Sequence, residues 1–158
     1  MSERVAIAPV RKTIHVKAPI DHAFDVFTSG LSRWWPFDHG VGKQPIARVL
    51  MEPRLGGRWL EISNDGTETA VATITVWEPP HRLVLVWQIN AQWKPDFNMK
   101  SEVDVRFAAD GPEAINVELT HHKFETMGAE AGTSMRNDVD RGWPGLLERF
   151  AREAEKQG

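Results

Sequence analysis

Two ionisable side chains stand out because each shares a strand face with an apolar run. In Arg58–Ile62 (RWLEI), Trp59 and Glu61 are two residues apart, and in Ala114–His121 (AINVELTH), Ile115, Val117 and Leu119 lead at the same step to His121. Side chains two apart on a strand point to the same side. If that side is the buried one, Glu61 and His121 are polar groups in an apolar chamber. There desolvation disfavours charge, the condition under which either residue serves as a general acid or base. A plainer role is also open. Glu61 would then meet Arg58, Arg48 or water near a strand end, and His121 would be a satisfied histidine at the rim.

Other reactive constellations are absent. His121 and His122 are strand neighbours and point to opposite faces, and His15, His22, His39 and His81 show no ligand spacing, so neither a metal nor a cofactor is expected. The chain has no cysteine, which removes thiolate chemistry, disulfides and cysteine-based zinc sites and points to a reducing cytoplasm. No Gly-x-Ser-x-Gly elbow occurs. Gly56-Gly57-Arg58 leads into a strand rather than a helix and is therefore a turn, not a phosphate cradle.

Those residues must be held by something, and the sequence supplies one strong element for it. From Ser134 to Glu155, the apolar residues Met135, Val139, Trp143, Leu146, Leu147, Phe150, Ala151 and Ala154 recur at steps of three and four. That is one buried stripe of a long C-terminal helix with Ser134 as its N-cap. Gly142 and Pro144 interrupt it, so the helix is expected either to bend near 140–144 or to begin at Trp143. Upstream, Arg11–Lys17 alternates as a strand. Pro19 opens a short helix with Ala23, Phe24 and Phe27 on its buried side, and a second helical turn spans Leu31–Trp35. Phe37–Pro45 is a loop by its glycine and proline density.

Six further strands follow, at 46–51, 58–62, 69–78, 82–89, 99–107 and 114–121, separated by turn sequences such as Asn64-Asp65-Gly66 and Asp110-Gly111-Pro112. The order implies an α+β fold: a seven-stranded curved antiparallel sheet around the long helix, with two short helices after the first strand. At 158 residues this is one domain, expected over 11–158 with a flexible stretch before it at 1–10. A composition of 41% hydrophobic and 26% charged residues is that of a globular chain, and no apolar run is long enough to cross a bilayer. The N-terminal MSERVAIAPVR lacks the pattern of a signal peptide. A net charge of −3 gives no reason to expect nucleic acid or an anionic membrane as partner.

Seven tryptophans with no tyrosine exceed what a small core requires. Trp143 and Trp87 sit at core spacing. Trp35, Phe37, Trp93 and Phe97 come from loops or element ends, where large rings more often form a pocket mouth.

Four motifs in sequence order are similar to the START-like superfamily, and within it to the branch named after the activator of the Hsp90 ATPase. They are Glu52–Trp59 (EPRLGGRW), Trp77–Val84 (WEPPHRLV) leading to Trp87, Val117–His121 (VELTH) and Gly142–Leu147 (GWPGLL). The resemblance spans roughly 11–155 and implies the helix-grip (START/Bet v 1-like) fold, with a cavity between sheet and helix. In that cavity the expected ligand contacts are Trp35, Phe37, Trp59, Glu61, Trp87, Leu119, His121, Val139 and Trp143. The implied function is binding of a hydrophobic or aromatic small molecule. A cyclase or dehydratase using Glu61 and His121 in the same cavity is the first alternative. A chaperone-associated protein-binding module is the second, and a chaperone partner is disfavoured because the additional domain of those co-chaperones is not expected here. A homodimer is left open.

Overall fold

The computed structural model describes residues 7–37 and 45–156, so residues 1–6 of the expected flexible stretch and most of the expected loop after Phe37 lie outside the described residues. The chain forms strand β1 (Val10–Val16), helix α1 (Ile20–Phe27), a 3-10 turn (Leu31–Arg33), and strands β2 (Ile46–Met51), β3 (Arg58–Ser63) and β4 (Glu68–Glu78). These are followed by β5 (Arg82–Trp87), β6 (Ser101–Ala109), β7 (Ile115–His122), a second 3-10 turn (Phe124–Met127) and helix α2 (Ala129–Glu155). The seven strands make one curved antiparallel sheet in the order β1-β7-β6-β5-β4-β3-β2. This is the helix-grip α+β architecture.

The order follows from the turns. Each neighbouring pair from β2 to β7 is joined by a connection short enough for a hairpin or a modest loop. At the β3–β4 corner Gly66 takes φ 87°, the left-handed conformation that such a reversal needs, while Asp65 Oδ1 accepts the Thr67 amide at 3.0 Å. Only β1 leaves the meander. It closes the far edge against β7, from Val10 opposite His121 to Val16 opposite Ile115.

Helix α2 carries the expected stripe. Met135, Val139, Trp143, Leu146, Leu147, Phe150, Ala151 and Ala154 are all buried against the sheet and α1. Burial of each large apolar side chain contributes roughly 1.5–3 kcal/mol. The helix starts five residues before Ser134. Gly128, at φ 95°, ends the second 3-10 turn and serves as N-cap, and Gly132 faces the Phe124 carbonyl so closely that a Cβ would collide with it. The helix runs unbroken through Pro144, which excludes a start at Trp143. Pro144 stands on the exposed face, where the Asp140 carbonyl it leaves without a donor can turn to water.

Helix α2 packs against β1, the second 3-10 turn and α1. Lys12 Nζ on β1 meets Asp140 Oδ1 at 2.8 Å, and Arg149 Nε donates to the Trp34 carbonyl at 2.7 Å. The helix therefore lies over one side of the curved sheet. Space is left beside β3, β4 and β5.

Candidate functional site

That space is a cavity of about 350 Å³. Strand β3 contributes Trp59 and Glu61, as their two-residue spacing requires, and Val71 comes from β4 where a register shift lies opposite Trp59 and Leu60. Trp87 ends β5 and Ile89 follows it. Trp35 enters from the turn after α1, while Asp138, Val139, Gly142, Trp143 and Leu146 come from successive turns of α2.

Four indoles form a continuous wall. Ring centroids are 4.5 Å apart for Trp35–Trp59, 5.9 Å for Trp59–Trp87, 5.9 Å for Trp87–Trp143 and 6.3 Å for Trp143–Trp35. The circuit is closed, with the first two contacts nearly perpendicular at 85° and 83°. Such edge-to-face pairs add about 0.5–1.5 kcal/mol each beyond area burial. The Nε1 atoms of Trp59 and Trp87 are buried inside this wall, off the cavity surface and without an oxygen or nitrogen acceptor. Trp34, one residue before Trp35, turns the other way. It donates to the Val26 carbonyl at 2.9 Å and packs on Phe27 and Phe150 in the core.

The mouth is built around Trp93. The chain from Gln88 to Asp96 folds back on itself, with Asn90 Oδ1 accepting the amides of Gln92 and Lys94 and Asp96 N donating to the Gln88 carbonyl. Trp93 sits at its tip with φ 59°, a left-handed conformation costly for a bulky residue. Its Nε1–H donates to Asp138 Oδ2 at 3.1 Å, and Arg141 donates to Asp138 Oδ1 at 2.7 Å. Loop and helix are thus joined across the opening.

Of the nine residues expected at the site, Trp35, Trp59, Glu61, Trp87, Val139 and Trp143 line the cavity. Phe37 is 42% exposed beside the undescribed segment and is not among the lining residues. Leu119 and His121 do face inward but are fully buried and away from the cavity, because α2 and the second 3-10 turn fill that side of the sheet. His121 accepts the Trp143 Nε1–H at Nδ1 (3.2 Å), so its own proton is on Nε2, which faces Ser101 Oγ at 3.0 Å. Burial, with a smaller contribution from the charge of His122, lowers its pKa to about 3. A neutral imidazole with both nitrogens committed behind the aromatic wall is a brace for Trp143. Glu61 thus faces the cavity and His121 lies behind its wall, with β4, β5 and β6 between their two strands.

Val71 and Ile89 line the cavity without having been expected there, and so do Asp138, Gly142 and Leu146 of α2, the last expected only in the buried stripe. Asp138, Gly142 and Leu146 flank Val139 and Trp143 one turn away or less, so helical spacing alone brings them to the same face. Among the described residues there is no group of three or more histidine, aspartate or glutamate side chains placed to hold a metal ion, and no helix is long and apolar enough to cross a membrane.

The family model for activator of Hsp90 ATPase homolog 1-like protein matches residues 17–155. Among solved structures, the anthrahydroquino-gamma-pyrone synthase Txn09 is 39% identical, covering 96% of this chain and 99% of its own, with a TM-score of 0.65. CalC, a self-sacrificing resistance protein from Micromonospora echinospora, is 33% identical over 95% of this chain and 96% of its own, with a TM-score of 0.72. The Aha1 dimer from Colwellia psychrerythraea, at 14% identity, TM-score 0.66 and coverage of 94% and 97%, shares the fold. No curated protein matches the chain.

Proposed function

Because the chain belongs to the family of activator of Hsp90 ATPase homolog 1-like proteins, we propose that it uses the sheet–helix cavity to bind a planar, polycyclic aromatic small molecule. The observation that carries this reading is the closed circuit of Trp35, Trp59, Trp87 and Trp143 facing an opening of about 350 Å³. Indole faces and edges set at steep angles around an apolar chamber favour aromatic ligands through stacking, edge-to-face contact and dispersion, and a mostly apolar chamber with few polar groups is how small-molecule sites are built. The likeness to a synthase whose name specifies a fused aromatic skeleton supports the same class of ligand.

A second reading, catalysis of a ring-forming step on such a ligand, is favoured by the 39% identity to Txn09 across nearly the whole of both chains. Glu61 is then the side chain in position to move a proton, since it lines the cavity and His121 does not. The dimeric relative shares only the fold at 14% identity and adds no support for a chaperone role.

Titration with planar polycyclic aromatics, followed by tryptophan fluorescence, tests binding. Saturable quenching is expected. A linear, non-saturating response across a set of two- to four-ring compounds contradicts the reading.

A further inference from the structure

Helix α2 holds three glycines in three different settings. Glycine in a helix interior costs stability, because it gives up the most backbone freedom on folding. Gly132 has a packing reason, since a Cβ there would collide with the Phe124 carbonyl. Gly142 has none: no atom of the described residues stands within 4 Å of the place a Cβ would take. Gly145 is equally open but faces solvent, whereas Gly142 lines the cavity. Its position in the helix relates that space to the mouth. Gly142 lies four residues after Asp138, which accepts the Trp93 N–H and ties the loop to the helix across the opening. Residues four apart on a helix are neighbours on one face. The part of the cavity beside this tie is therefore bounded on α2 by bare backbone. At about 350 Å³ the chamber stands near the lower end of the roughly 300–1,000 Å³ typical of small-molecule sites, so one side chain projecting from that backbone would take a substantial share of it.

We propose that Gly142 is the specificity-determining residue for ligand size: the ligand takes the volume that its missing side chain leaves, so the cavity admits aromatics of three and four fused rings that a branched side chain at 142 would exclude. This deepens the aromatic-binding reading above and rests on it. The tryptophan wall supplies affinity for aromatic ligands of any size, and Gly142 sets how large they can be.

A graded series separates the two levels. Naphthol, hydroxyanthracene and hydroxypyrene carry one hydroxyl each and offer two, three and four fused rings. With the full-length chain, Gly142→Ala is expected to weaken hydroxypyrene binding about threefold and Gly142→Leu about tenfold or more, while naphthol stays within about twofold of wild type in both. Gly145→Leu, three residues on and exposed, is expected to change none of the three affinities. Hydroxypyrene binding unchanged in Gly142→Leu, or naphthol weakened as much as hydroxypyrene, overturns the size selection while leaving aromatic binding intact. A Gly142→Ala chain that fails to fold overturns it as well, since the protein itself would then need the space. Should only Gly142→Leu fail to fold, the alanine variant decides, and hydroxypyrene affinity equal to wild type overturns the proposal. If none of the three compounds binds the wild-type chain, the aromatic reading falls and this inference falls with it.

Discussion

Trp143 donates its indole N–H to Nδ1 of His121 at 3.2 Å, and that one contact fixes both residues. Indole nitrogen has only a proton to give, so His121 must be neutral and protonated on Nε2, where Ser101 Oγ receives it at 3.0 Å. The histidine holds a wall of the cavity instead of acting within it.

The pH dependence of stability follows from this burial. The unfolded histidine takes up a proton near pH 6.5, whereas the folded one resists until about 3. Its contribution is therefore fully present above about 6.5 and is lost as pH falls toward 3, with about 2 kcal/mol gone by pH 5. Urea unfolding between pH 7.5 and 5 is expected to show this loss. A His121→Gln chain, less stable throughout, is expected to lack that part of the slope. Carboxylates with lowered pKa, Asp104 and Asp140 among them, add a loss of the same sign at lower pH in both chains. An NMR inflection of the His121 ring near pH 6.5 contradicts the assignment.

Three glycines of α2 separate packing from propensity. At Gly145, exposed and with nothing within 4 Å of the place an alanine methyl would take, Gly145→Ala is expected to stabilise the helix by about 0.5–1 kcal/mol. Gly142→Ala has the same open surroundings and is expected to stabilise similarly, while weakening aromatic binding because its methyl enters the cavity lining. Gly132→Ala meets the Phe124 carbonyl and is expected to cost about 2 kcal/mol or more. Urea midpoints and hydroxypyrene titration of the three variants check this order.

Trp93 stores strain where it closes the mouth. Trp93→Gly relieves the left-handed backbone by about 1 kcal/mol but gives up the bond to Asp138, worth about 0.5–1.5 kcal/mol, and the packing of a ring more than half buried, so a net loss of about 1–3 kcal/mol is expected. Ligand dissociation measured by stopped-flow is expected to accelerate. An unchanged off-rate removes the gating role of this ring.

How far the sequence reaches differs from element to element. The stripe from Met135 to Ala154 and the Trp59–Glu61 pair were legible because each expresses one simple period, 3.6 or 2. The first turn of α2 was not, since its cap is Gly128, a backbone conformation and not a capping side chain, and residues 129–133 carry no apolar stripe. Leu119 and His121 show a different limit. Alternation correctly turns them inward, but it cannot say whether inward means cavity or helix, and here α2 and the Phe124 turn occupy that half of the sheet. Trp93 depends on a left-handed φ set by the bonds around Asn90, which no local pattern announces.

The central claim, an aromatic ligand seated against the tryptophan wall, is tested most directly by the seven indole N–H resonances of the chain during titration with hydroxypyrene. Trp35, Trp59, Trp87 and Trp143 are expected to shift together, with Trp93 responding at the mouth, while Trp34 in the core and Trp77 beside α1 stay in place. Shifts confined to Trp77 or Trp34, or no saturable shift at all, contradict it.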